Sequence, residues 1–140
     1  MALLNIVKEG DPLLRKQSRP IEEITPRILT LLDDMKDTMH AANGCGLAAV
    51  QVGVLRRVVV IEVEDGKIYE MINPRIVFRA GRQEAEEGCL SLTGIRKAKR
   101  YKEIKVQWQT REMKTRIRNF SGFTAQIIQH EMDHLEGIII

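Results

Sequence analysis

Near the end of the chain, Phe123, Ile127, His130 and His134 stand at offsets of 4, 7 and 11 from the first of them. At about 100° per residue these positions return to nearly the same angle, so a helix from about Ser121 to Glu136 carries all four on one stripe. No other feature restricts the fold as much. Two imidazoles are committed to the core side of a helix, and the rest of the chain must supply what they face. Gly137 is placed to end that helix, leaving Ile138 to Ile140 as an apolar end.

Upstream, Gly10, Pro12 and Pro20 mark residues 1 to 24 as irregular or weakly paired. Thr25 is a capping residue and Pro26 suits a first helical turn. Ile28, Leu31, Leu32, Met35 and Met39 then recur at helical spacing, which predicts a helix ending near Asn43 and Gly44. Val58, Val59, Val60, Ile61 and Val63 form a β-branched run typical of a buried strand, and Lys67 to Phe78 reads as further strand, broken at Pro74. Ile104, Val106 and Trp108 alternate with polar residues, as do Met113, Thr115 and Ile117, with Thr110 to Glu112 between them as a hairpin turn. The expected class is α+β: antiparallel or mixed β-sheets packed around a C-terminal metal-binding helix, with an N-terminal helix.

A length of 140 residues at 44% hydrophobic composition fits one domain, 1–140, with its own core. The net charge of +3 gives weak steering and no reason to expect specific DNA binding. Lys8, Glu9 and Asp11 interrupt the short apolar start, so no secretory signal is expected. No stretch approaches the roughly 18 apolar residues of a spanning helix, so no membrane partner and a cytoplasmic location are expected. In that compartment Cys45 and Cys89 read as thiols, and each needs its own explanation.

His130-Glu131-Met132-Asp133-His134 matches H-E-x-x-H. Histidines four apart present two imidazoles to one metal, while the glutamate beside the first lies about 100° around the helix. There a carboxylate deprotonates water at the metal without being a ligand. The bland alternative is a chance match with two satisfied core histidines, but the motif falls on an amphipathic helix and the chain holds only one other histidine, His40.

A catalytic site takes three protein ligands. After His134 only Glu136 carries a donor, so the natural third ligand is upstream: Cys89 in Glu86-Glu87-Gly88-Cys89-Leu90-Ser91. The competing reading of Cys89 is a small buried hydrophobe. In Asn43-Gly44-Cys45-Gly46-Leu47-Ala48-Ala49-Val50-Gln51, the glycines suit a backbone that passes close to a ligand, and Gln51 can donate its amide to a developing oxyanion. Taken alone, the same loop is a plain helix-to-strand turn.

The segments GCGLAAVQ, EGCLS and QHEMDHLEG occur in that order, with Cys89 forty-one positions before His130. Together they resemble the three signature motifs of bacterial peptide deformylases, and Gly10 to Arg15 resembles the family's opening. The resemblance implies Cys89, His130 and His134 as metal ligands and Glu131 as general base and acid. It implies that Gln51 and the Leu90 N–H polarise a formyl carbonyl, that Gly46 and Gly88 pair with the substrate backbone, and that Cys45, Phe123 and Ile127 form the methionine pocket. The implied cofactor is one divalent metal, natively Fe(II), with zinc, nickel or cobalt able to occupy such a site. The implied substrates are N-formyl-methionyl nascent peptides. Val50 and Thr93 stand where proline is frequent, Met132 where phenylalanine is frequent, and the family usually continues past the position of Ile140.

Asp133 and Glu87 each read as a support for the site or as a solvated carboxylate. The basic run Arg96, Lys97, Lys99, Arg100 and Lys102 reads as a solvated strand face or as a contact to ribosomal RNA near the exit tunnel. Two rival functions remain: an H-E-x-x-H zinc peptidase, and a non-catalytic structural metal module in which Cys45 joins Cys89, His130 and His134.

Overall fold

The run around Val58 is apolar at consecutive positions because both faces of its strand are covered. A computed structural model describes residues 3–139; Met1, Ala2 and Ile140, parts of the expected domain and its apolar end, lie outside the described residues. The strands are β1 (Gly46–Ala48), β2 (Val58–Glu62), β3 (Ile68–Glu87), β4 (Arg96–Gln109) and β5 (Thr115–Ser121). They form one sheet in the order β1-β2-β3-β4-β5, with every neighbouring pair antiparallel. Helix α1 (Pro26–Ala41) precedes the sheet and α2 (Gly122–Leu135) follows it. The class is α+β, and the named strands make a single antiparallel sheet.

Successive side chains point to opposite faces of a strand. Val58 and Val60 of β2, with Ile72 of β3, pack against Leu31, Leu32, Met35 and Met39 of α1. Val59 and Ile61, with Met71, Ile104 and Val106, pack against Ile128 and Leu135 of α2. The sheet is therefore the middle layer of three. Each such side chain, fully buried, contributes roughly 1.5–3 kcal/mol relative to exposure.

Local signals set the helix ends. The Thr25 hydroxyl accepts from the Ile28 N–H (3.3 Å), and Pro26 opens α1 as expected. At the end of α2, Gly137 takes φ +75; its N–H donates to the His134 carbonyl (3.1 Å) and the Ile138 N–H to that of Asp133 (2.9 Å). This is the Schellman arrangement, which satisfies the last carbonyls of the helix carrying the histidines.

Two expectations need correction. β3 does not stop near Phe78 but runs on to Glu87, pairing with β4 from Arg96 onward. At Pro74, which has no N–H to give the ladder, there is a register shift between Ile72 and Arg75 rather than an end. Asn73, at φ +52, bridges the irregularity by hydrogen bonds to both the N–H and the carbonyl of Ile21 (2.7 Å each). Met113 does not begin β5: at φ +61 it is a turn residue whose N–H returns to the Thr110 carbonyl (2.8 Å).

Candidate active site

One helical turn separates His130 from His134, so their rings meet edge-on at 4.8 Å and the two Nε2 atoms lie 3.2 Å apart. Cys89 follows the last residue of β3 by two positions, and its sulfur comes to 3.3 Å from the His134 Nε2. The three donor atoms lie within 4.8 Å of one another. Around a metal with M–N bonds of about 2.0–2.1 Å, tetrahedral ligand atoms sit about 3.3 Å apart, so the spacing and the sulfur–nitrogen donor set both fit one divalent cation. Cys45 does not join them. It is exposed, and the group of donors among the described residues consists of Cys89, His130 and His134.

The support beneath His130 is a chain of ion pairs. Glu87 Oε1 lies 2.9 Å from His130 Nδ1, and Arg100 grips the same carboxylate through Nε (2.8 Å) and Nη2 (2.7 Å). The third nitrogen of Arg100, Nη1, donates to Asp133 (2.8 Å). Burial works against charge on Glu87, but hydrogen bonds from His130 and Arg100 outweigh it and hold its carboxyl down at about 2. An ionised Glu87 makes Nδ1 the protonated nitrogen of His130, which turns the Nε2 lone pair toward Cys89 and His134. Arg100 and Asp133 are thus parts of the site's frame. Asp133 is therefore a support of the site and not a merely solvated carboxylate, and Arg100, although it lies in the basic run 96–102, is not on a solvated face: it is 5% exposed.

Without a metal, the two imidazoles are pushed apart in basicity. Burial opposes protonation of His130, but the Cys89 sulfur and Glu87 overcome it and raise its pKa. Burial and the charge on His130 push His134 the other way.

Glu131 is buried beside the donors, and its Oε1 has no hydrogen-bond partner among the described residues. Burial drives its carboxyl up to about 7 against the pull of His130. Cys45, Glu87, Gly88, Phe123, Ile127 and Glu131 line a cavity of about 190 Å³. Ile127 is buried in its wall, whereas Phe123 is 54% exposed. A Cβ on Gly88 would meet nothing within 4 Å, so this backbone is open on that side.

Gln51 is held, not left on the surface of a turn. Its Oε1 accepts from the Ala48 N–H (2.9 Å), and its Nε2 reaches Ser91 Oγ (3.2 Å) and Cys89 Sγ (3.5 Å). The irregular N-terminal segment clasps the same region: the Val7 N–H donates to the Gln51 carbonyl and the Glu9 N–H to that of Ser91 (2.7 Å each), while Lys8 Nζ donates to the Leu90 carbonyl (2.9 Å). No periodicity signals these contacts; only Gly10 and Pro12 hinted that the segment is shaped by what it touches.

Residues 3–140 match the family described as polypeptide deformylase. The chain belongs to the polypeptide deformylase family. It is 46% identical over 140 residues to a peptide deformylase of Thermoanaerobacter pseudethanolicus, covering 99% of this chain and 87% of that one. A peptide deformylase of Acetivibrio thermocellus is 49% identical over 140 residues, with 99% and 82% covered. Among solved structures, a peptide deformylase from Thermotoga maritima superposes with a TM-score of 0.95 at 34% identity, covering 99% of this chain and 95% of that one. The polypeptide deformylases are metal-dependent hydrolases that remove the N-formyl group from newly made polypeptides, and this is the activity of the chain. Neither the peptidase nor the structural module is favoured beside a match of this length. No helix among the described residues is long and apolar enough to cross a membrane.

Proposed function

We propose that Cys89, His130 and His134 hold the metal, natively Fe(II), and that Glu131 is the proton-transfer residue of a single catalytic domain spanning residues 1–140. The observation that carries this reading is the convergence of the three donor atoms beside the unpartnered Glu131 Oε1. A thiolate with two imidazoles also accepts zinc, nickel or cobalt. When bound, the cation supplies Lewis acidity, acidifying water and polarising the formyl carbonyl.

The side chains do the rest. Glu131 Oε1 takes a proton from the attacking water and returns it to the departing amine nitrogen, so formate and a free N-terminus result. Gln51 Nε2 and the Leu90 N–H stabilise the charge that collects on the formyl oxygen. A carbonyl oxygen placed beside Cys89 competes for the Nε2 hydrogen that otherwise points at the sulfur across 3.5 Å. Gly46 and Gly88 pair with the substrate backbone, and Cys45, Phe123 and Ile127 receive the methionine side chain of an N-formyl-methionyl nascent peptide.

Such chains emerge from ribosomes in the cytoplasm, and the reading places the enzyme there, near the exit tunnel. The run from Arg96 to Lys102 is a reduced candidate for that contact. Arg100 is buried, Arg96 pairs with Glu9 and Lys97 lies 3.9 Å from Glu84. The reading is tested with anaerobic, iron-loaded protein: formate is released from a formyl-Met peptide, with one metal per chain by elemental analysis. A loaded enzyme that releases none overturns it.

A further inference from the structure

The basic residues are unevenly placed. Residues 66–121 carry fourteen Lys and Arg against six Glu, and the remainder carries eight against thirteen Asp and Glu. A chain with a net charge of +3 thus has a strongly cationic β3–β5 region, and a polyanion responds to that local field.

At the hairpin end of this region lies an open groove of about 710 Å³, with Lys36, Lys67, Tyr69, Arg111, Arg116 and Arg118 in its lining. Two of its cations are already neutralised: Arg111 by Glu70 and Asp33, and Lys36 by Glu70 (2.9 Å). Lys67, Arg116 and Arg118 have no carboxylate partner among the described residues, and Glu112 is the other acid on the lining.

Two of these three cations, Lys67 and Arg118, are organised around an aromatic ring. Lys67 Nζ lies 4.8 Å and Arg118 Cζ 5.9 Å from the Tyr69 ring centroid, and Arg118 donates to the Tyr69 hydroxyl. The ring is fixed edge-on against Trp108 (5.8 Å) and Phe120 (5.4 Å). Arg116 stands opposite Trp108 and Arg118 opposite Val106, so the two project from the same face of the edge strand β5, about 7 Å apart.

We propose that this groove binds single-stranded RNA, with Lys67, Arg116 and Arg118 on backbone phosphates and Tyr69 as a stacking surface for a base. Guanidinium groups match phosphate oxygens two at a time, and a cationic groove with an aromatic ring in its wall, here the half-buried Tyr69, is how single strands are held without sequence preference. An acidic polypeptide would satisfy the charges but not the ring. The groove shares no lining residue with the cavity beside His130. The proposal gives the ribosome reading a definite surface, and its readout is independent of deformylation, so either can fail alone.

The test is fluorescence anisotropy of a labelled single-stranded RNA with metal-loaded enzyme across a salt series. Three phosphate contacts predict a slope of log K against log salt of about −2, which is a loss of roughly fifteenfold between 50 and 200 mM. Lys67→Ala/Arg116→Ala/Arg118→Ala should weaken binding at least about tenfold and flatten the slope. The single charge reversal Arg116→Glu should do the same in direction. Both variants should retain metal and formate release, which shows that they are folded. Lys99→Ala/Lys102→Ala should leave binding unchanged. Absent binding at low salt, binding indifferent to the groove variants, or displacement by polyglutamate as effective as by unlabelled RNA would each overturn the proposal.

Discussion

Gly46 lies so close to Glu131 that a Cβ built on it would come to 2.6 Å from the Glu131 Oε2 and 2.9 Å from the Ile127 Cγ2. The absence of a side chain at Gly46 is what lets a carboxylate on α2 lie beside the metal donors. Gly46→Ala is expected to displace that carboxylate and lower kcat/KM about a hundredfold, because a misplacement of about 1 Å costs that much. Metal content should be unchanged, since the three atoms nearest the new methyl group belong to Glu131 and Ile127 and not to Cys89, His130 or His134. Steady-state kinetics with metal analysis checks this; full activity would show that Glu131 needs no such clearance.

Glu131→Gln is expected to lower activity by about 10²–10⁴ while keeping the metal. It also predicts a stability effect in the metal-free protein. The Glu131 carboxyl is raised from its ordinary 4.5 to about 7, chiefly by burial. Between those values the unfolded chain releases a proton that the folded chain retains, so the folded state loses stability as pH rises through this window and bears the whole cost above it. The cost is on the order of 1–3 kcal/mol. Urea melts of the metal-free proteins should therefore show the Gln variant gaining on the wild type from pH 4.5 to 7. Parallel pH profiles would refute the buried, raised carboxyl.

What could be read along the chain was what depends on near neighbours. Thr25 and Pro26 announce α1, the β-branched run announces β2, and the spacing of His130 and His134 announces their shared face, because caps, pleats and helical turns act within a few residues. The outer half of β3, Arg79 to Glu87, was illegible: it is largely exposed, and its order comes from pairing with β4. Phase misleads as well in β5, where Ile117 is 58% exposed while Arg116 and Arg118 share the face of buried Phe120. The three segments could be assembled into one site from their resemblance to a family. That Gln51 is fastened by Ala48 and Ser91, and that residues 7 to 9 clasp Gln51, Leu90 and Ser91, depends on contacts spanning up to 82 positions.

Arg100 carries the frame of His130, so Arg100→Met should affect metal affinity before it affects chemistry. It leaves Glu87 and Asp133 without their cation, and breaking a buried pair in this way costs roughly 3–5 kcal/mol. The orientation of His130 then loosens, and metal affinity should fall about 10–100-fold, as for other groups that orient a ligating histidine. Chelator competition reads this directly. Acid titration gives a second measure. Glu87 ordinarily titrates at 4.5 and is held at about 2, so its stabilisation is present above 4.5 and is lost as pH falls from 4.5 toward 2. In Glu87→Gln that part of the acid limb should flatten. An unchanged metal affinity in Arg100→Met would mean that the ion-pair chain is incidental.

Ser91 separates positioning from direct contact in the oxyanion site. Its hydroxyl is buried and accepts from Gln51 Nε2, while the other end of the Gln51 amide is fixed by the Ala48 N–H. Gln51→Leu removes the donor and should cost about 10²–10³ in kcat, the range for loss of one oxyanion donor. Ser91→Ala leaves the donor in place with one of its three contacts gone, so a smaller loss is expected, about tenfold, from an amide that samples other orientations. KM should move little in either variant, because the lost interaction is strongest when charge has developed on the formyl oxygen. Equal losses in the two variants would make Ser91 the group that contacts substrate, and would leave Gln51 as its support.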